Sequence, residues 1–119
     1  MYIDGFLLPV PTARKDEYRA HEEKWWPAFR DLGATGLMVA WGDDIPEGRW
    51  TDFRRAVDGR DDETTVLCWM TWPDRATRDA ALQAFMERAD IDPSMMDMPF
   101  DGKRLVMGGF APIFQGGAA

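Results

Sequence analysis

Thr64-Thr65-Val66-Leu67-Cys68-Trp69-Met70-Thr71-Trp72 is the most strand-like run in the chain, and it is apolar on both faces. Side chains of a strand alternate between the two sides of a sheet. Val66, Cys68, Met70 and Trp72 therefore point one way, and Leu67 and Trp69 the other. An antiparallel sheet with one wet face would alternate apolar and polar residues instead. Three further segments read the same way. Tyr2 to Val10, ended by Pro9 and Pro11, sets Ile3 and Leu7 against Phe6 and Leu8. Thr35 to Gly42 sets Leu37, Val39 and Trp41 against Met38 and Ala40. Lys103 to Phe114 follows a turn at Asp101-Gly102 and sets Leu105 and Met107 against Val106 and Phe110. It carries Gly108-Gly109 inside and Pro112 near its end, where proline is best tolerated.

Two helices fall between these strands. From Arg14 to Leu32 the large apolar residues Tyr18, Trp25, Phe29 and Leu32 share one face of a 3.6-residue period. Thr12 is placed to cap this helix, and Gly33 to stop it. Pro27 cannot donate to the Glu23 carbonyl, which predicts a kink near Trp25-Trp26. Pro73-Asp74 opens the second helix, with Asp74 as cap and Leu82, Phe85, Met86 and Ala89 on one face. Trp50 to Val57 alternates and reads as a weak extra strand, followed by a turn at Asp58-Gly59. Asp92-Pro93-Ser94 is placed to cap a short helical turn carrying Met95 and Met96. The order is strand, helix, strand, strand, strand, helix, strand. With the weak strand set aside it is βαββαβ, an α+β ferredoxin-like plan with both helices on one face of an antiparallel sheet. Residues 1–119 form one domain on this reading.

Composition narrows the function classes. Net charge is −7, from 14 basic and 21 acidic residues, and the basic ones are dispersed among acids. Nucleic-acid binding needs a cationic stripe, and docking on an anionic membrane needs a basic cluster; neither partner is expected. One cysteine excludes an internal disulfide, and Cys68 lies where a free thiol serves as a small hydrophobe. No apolar run approaches the roughly 20 residues that span a bilayer. Met1-Tyr2-Ile3-Asp4-Gly5 has no cationic region ahead of its apolar residues, so a cytoplasmic location is expected.

The two-faced strands have a consequence for assembly. Two helices, each about 10 Å across, cover roughly the 19 Å width of four strands, and so one face only. The other face leaves on the order of ten apolar side chains bare, worth about 1.5–3 kcal/mol each when buried. That competes with an association cost of about 4–15 kcal/mol. A homodimer with the sheets face to face is the expected partner arrangement. The rival is that the weak strand and the Ile45 or Met95 segments fold over the bare face.

Several pieces carry a family resemblance: Tyr2-Ile3-Asp4-Gly5-Phe6, Lys15-Asp16, Tyr18-Arg19, the Pro27 helix, Asp44-Ile45-Pro46, Thr51-Asp52-Phe53-Arg54 and Met98 to Phe110. Together, from Tyr2 to Phe110, the chain resembles the YbaA-like proteins, an uncharacterised bacterial family that looks like a branch of the dimeric α/β-barrel superfamily. The resemblance implies ferredoxin-like subunits paired through their sheets. Members of that superfamily include cofactor-independent monooxygenases, haem-degrading enzymes and stress-response proteins, so the fold does not select a reaction.

Asp4, a carboxylate in an apolar strand beside Gly5, reads either as a base or substrate anchor or as an acid paired with Arg104 or Arg54. Asp52 and Arg54 suit an ion pair or a polar pocket wall. Trp41, Trp69 and Trp72 read as core, dimer contacts or the lining of an apolar cleft. His21, the only histidine, is expected on an exposed helix face; with no second histidine, no metal site and no cofactor are expected. The candidate ligand site is therefore Asp4, Trp41, Asp52, Arg54, Trp69 and Arg104, holding a small apolar or aromatic molecule. The expected role is a homodimeric small-molecule binding or accessory protein. A cofactor-free monooxygenase-like enzyme and a purely structural partner are the alternatives.

Overall fold

The computed structural model describes residues 1–91 and 97–117. Four strands form one antiparallel sheet: β1 (Tyr2–Pro11), β2 (Gly36–Trp41), β3 (Glu63–Trp72) and β4 (Val106–Phe110), in the order β2-β3-β1-β4. Three α-helices accompany it among the described residues: α1 (Lys15–Asp31), α2 (Phe53–Ala56) and α3 (Arg75–Ile91). The protein is α+β. None of these helices is long and apolar enough to cross a membrane. The turn expected at Asp92–Met96 lies outside the described residues.

Helix ends follow local chemistry. Gly33 ends α1 at φ +114°, and the Ala34 N–H bonds back to the Phe29 carbonyl at 3.0 Å. Asp74 caps α3 by accepting from the Thr77 N–H at 2.7 Å. Thr12 does not cap α1: its hydroxyl pairs with that of Thr64 at 2.8 Å, and a single 3-10 turn, Thr12–Arg14, leads into the helix. Helix α1 runs through Pro27, which occupies an outward, exposed position.

Three expectations are corrected. Trp50 to Val57 is not a strand. Asp52 is extended and accepts from the Arg55 N–H at 2.8 Å, which starts α2. A capping carboxylate satisfies the orphan N–H groups of a first turn, and here it outweighs a weak alternation. The last strand is shorter than expected, because Gly102–Arg104 forms a 3-10 turn and pairing ends at Phe110. The first strand continues through Pro9 to Pro11. β4 reaches only Leu7 of β1, so beyond that point β1 has a single neighbour and can tolerate a missing N–H.

Alternation places Tyr2, Asp4, Phe6, Leu8 and Val10 under α1 and α3, with Val66, Cys68, Met70 and Trp72 beside them. The opposite face is built in rows. Met38, Trp69, Gly5 and Gly108 align across the sheet, as do Ala40, Leu67, Leu7 and Val106. The Phe110 ring lies over Gly5 and Gly108. On this face Met38 is 51% exposed, Leu67 40% and Phe110 60%. One end is covered: α2 packs on β1 and β3, where Pro9, Thr65 and Val57 are buried. Ile45 and Phe53 flank Ala40 and Leu67. The loop segment thus folds over part of the outer face and leaves the rows above bare.

Candidate functional site

The six residues named from sequence do not share a cleft. Asp4 is 3% exposed and its oxygens are spent. Trp72 Nε1 donates to one at 2.9 Å, and Arg78, not Arg54 or Arg104, donates to the carboxylate from Nε at 3.0 Å and Nη2 at 2.8 Å. Arg78 in turn lies over the Tyr2 ring, 5.3 Å from its centroid. Gly109 makes room for both, since a Cβ there would sit 2.2 Å from Tyr2 Oη and 2.9 Å from Arg78 Nη2. This group ties α3 to the sheet.

Asp52 holds the loop before α2, accepting also from the Gly48 N–H at 3.1 Å. These backbone N–H groups hold its carboxyl below the usual range. Arg54 donates to the Gly59 carbonyl at 3.1 Å and pairs with Asp61. Arg104 meets Glu63 through two parallel bonds of 2.6 Å and also reaches Asp101 and the Asp58 carbonyl. Trp69 lies on the outer face, Trp41 and Trp72 on the helix face. Trp41 stands opposite Val66, six residues from Trp72, or about 20 Å along β3.

Arg104 also sets a pH dependence. It holds the Glu63 carboxyl below its ordinary value, so the pair's contribution is present above about pH 4.3, the unfolded carboxyl's range. That contribution disappears as pH falls through the depressed folded value. Glu63→Gln is expected to flatten the acid limb of stability against pH, measured by urea denaturation. An unchanged limb would assign acid sensitivity to another group.

Asp52 and Arg54 together border a polar hollow of about 380 Å³ with Glu47 and Arg55; a larger open space lies beneath α1, and of the six residues only Trp41 borders it. An outer compartment of about 500 Å³ is walled by α1 and by Leu37, Val39 and Trp41 of β2. An inner compartment of about 190 Å³ lies between α1, α3 and β3. Its roof is aromatic: Phe85 stacks on Phe29 at 5.1 Å and meets Trp25 edge-on at 6.2 Å, while Phe100 meets Tyr18 at 5.8 Å. Tyr18 and Glu22, one helical turn apart, border both compartments.

Four polar side chains face the inner compartment: Tyr18, His21, Glu22 and Cys68. The Tyr18 side chain is 1% exposed, and among the described residues its hydroxyl makes no hydrogen bond. It stands close enough to Glu22 for each to perturb the other, without good bonding geometry. Burial raises the Tyr18 hydroxyl well above its ordinary value, with Glu22 adding to the effect. Glu22 is half-buried, and burial pushes its carboxyl up, partly opposed by Tyr18. Cys68 lies below, its thiol pushed by burial up to about 12, so it is neutral and unreactive. His21 is not on an exposed face. It lines the inner compartment against Trp25 and Phe100, and burial holds it below its ordinary value. A signal for this site exists in the sequence: Glu22 interrupts the Tyr18, Trp25, Phe29 stripe with a carboxylate at an inward helical position. No group of three or more His, Cys, Asp or Glu suited to a metal occurs among the described residues.

The protein is α+β: an antiparallel four-stranded sheet with α1 and α3 over one face and α2 over one end of the other, and a half-polar cleft beneath α1. The chain belongs to the family described as "Protein of unknown function (DUF1428)", whose model matches residues 1–102. It is 42% identical over 116 residues to "Uncharacterized protein YbaA" of Escherichia coli (strain K12), a match spanning 94% of this chain and 96% of the relative. The YbaA protein of Shigella flexneri matches to the same extent. Among solved structures, the de novo designed protein Foldit4 superposes with a TM-score of 0.46 at 10% identity, over 93% of this chain and 97% of the design.

Proposed function

We propose that this chain works as a homodimer that binds a small molecule in the cleft beneath α1. The Tyr18 hydroxyl carries the ligand reading: it is buried, lacks a partner among the described residues, and stands where the two compartments meet. An unsatisfied buried hydroxyl costs about 1–3 kcal/mol, and a bound polar group would offset that cost.

The assembly reading rests on the other side of the sheet. The strand order supports reading the chain as a ferredoxin-like subunit, and the resemblance implies the dimeric α/β-barrel arrangement. The bare rows contain no charged residue, so pairing them would bury no charge. The molecule is a slab of 38 × 38 × 21 Å. Its short dimension accommodates one sheet and one helix layer at about 10 Å each. An acidic surface and a lone buried thiol suit the cytoplasm.

Screening single-ring fragments by NMR tests the ligand reading. Some fragments are expected to shift the indole N–H signals of Trp25, Trp26 and Trp41 while leaving Trp69 unmoved. Leu37→Trp, which fills the cleft where its compartments join, should abolish those shifts. A library that moves none of the three indoles would overturn the proposal.

A further inference from the structure

We infer that the cleft takes a protonated aromatic amine, with the ammonium between the Glu22 carboxylate and the Tyr18 hydroxyl and the ring in the inner compartment. This rests on the reading of the cleft as a small-molecule site and adds the charge and shape of the occupant.

Three acids of α1 are ion-paired. Glu17 is matched by Arg14, Glu23 by Arg19 and Asp31 by Arg30. Glu22, the acid on the inward stripe, has no cation within ion-pair distance among the described residues. A half-buried carboxylate without a counter-charge is costly, and its upward-shifted carboxyl reflects that cost. A cationic ligand supplies the missing charge; a neutral one does not.

The other groups facing the inner compartment agree. His21 is displaced toward its neutral form and adds no competing positive charge, and Cys68, held as a neutral thiol, adds no second negative one. With Glu22 present and no cation lining this compartment, an anion is disfavoured. Trp25, Phe29, Phe85 and Phe100 offer ring faces and edges suited to an aromatic ring and to the field of an ammonium. Tyr18 adds an oxygen that can accept one ammonium N–H and a hydroxyl that can donate to Glu22. At the outer compartment an alkylammonium already rests on an indole: Lys15 Nζ lies 5.5 Å from the centre of the Trp41 ring. Lys15 and Arg19 there are balanced by Asp16 and Glu23, so the entrance carries no excess positive charge.

Size sets the last limit. An apolar cavity of about 150 Å³ holds one benzene ring. The inner compartment, at about 190 Å³, fits one ring with a short arm reaching back to Glu22.

Two probes of one skeleton test the inference: 2-phenylethylammonium and 2-phenylethanol, titrated at neutral pH by calorimetry and by the Trp25 and Trp41 indole signals. The amine is expected to bind at least about tenfold more tightly, the scale of one charge-assisted hydrogen bond at a shielded site. Glu22→Gln should remove that preference, bringing the amine's affinity down to about that of the alcohol. Tyr18→Phe should weaken the amine several-fold. Both variants are to be checked for parental thermal unfolding, and Glu22→Gln is expected to melt no lower than the parent, because it removes an unpaired, half-buried charge. If the alcohol binds as tightly as the amine, or Glu22→Gln keeps the preference, the amine assignment is overturned and the cleft reading stands. If neither probe binds nor any fragment moves the indoles, both readings fall.

Discussion

Replacing Arg78 with methionine is expected to destabilise the protein by about 3–5 kcal/mol, measured as a shift of the urea midpoint at unchanged slope. The reason is the residue left behind. Asp4 is buried, and without Arg78 its carboxylate would keep only the Trp72 indole N–H, having lost three donor contacts from the guanidinium. Leaving an uncompensated charge in a dry site costs far more than the intact pair contributes. The double variant Asp4→Leu with Arg78→Met should therefore recover much of the loss, because it removes both charges and substitutes apolar volume. A loss below about 1 kcal/mol for Arg78→Met, within the range of ordinary surface changes and exposed ion pairs, would show that water or another cation reaches Asp4. Such a result would reopen Asp4 as a candidate chemical group. With total stabilities of about 5–15 kcal/mol typical of domains, the expected loss is a large fraction of the whole.

The second large effect concerns the bare sheet face. Trp69→Asp is expected to convert a dimer into a monomer with little change in the fold of each chain. Trp69 sits mid-sheet, paired with Gly5 on one side and Met38 on the other, with Phe110 lying over the glycines beyond. A two-fold interface counts every substitution twice. Losing about 1.5–3 kcal/mol of apolar burial per side chain then costs about 3–6 kcal/mol per dimer. That raises the dissociation constant by roughly a hundredfold to ten-thousandfold. Sedimentation velocity over a dilution series reads it directly. A parent chain that sediments as a monomer throughout the series defeats the assembly proposal, whatever the variant does. Charged substitutions at the opposite end, near Pro9 and Thr65, should not be used for this purpose. Those residues are already covered by the α2 segment within one chain, so a change there would test folding.

Both effects trace back to strand parity, the most legible feature of this sequence. Alternation puts Trp69 on the face of β3 opposite Trp72, so the cleft expected to be lined by Trp41, Trp69 and Trp72 together does not form. The same alternation assigns Asp4 to the side shared by Phe6 and Leu8, which is the helix-covered side. What alternation does not show is the partner. Arg78 lies 74 residues away on α3, and only the packing of that helix over β1 brings it to Asp4. Asp52 misled for a related reason. Its neighbours alternate as a strand does, yet its carboxylate is short enough to cap the next turn, and a cap is decided by local geometry.

By itself, the order of residues located the four sheet strands and α1 and α3 in outline, with Trp50 to Val57 added as a strand in error, and made the sheet apolar on both sides. These follow from periodicity, turn residues and caps, which act over a few neighbouring positions. Tertiary structure alone decided that the space lies beneath α1, that Tyr18 and Glu22 border it, and that Asp4, Asp52, Arg54 and Arg104 are spent holding elements together. A cavity is a gap between side chains brought together from α1, α3, β2 and β3. Whether a polar atom lacks a partner depends on every group within about 3.5 Å of it, and adjacency along the chain does not encode that distance.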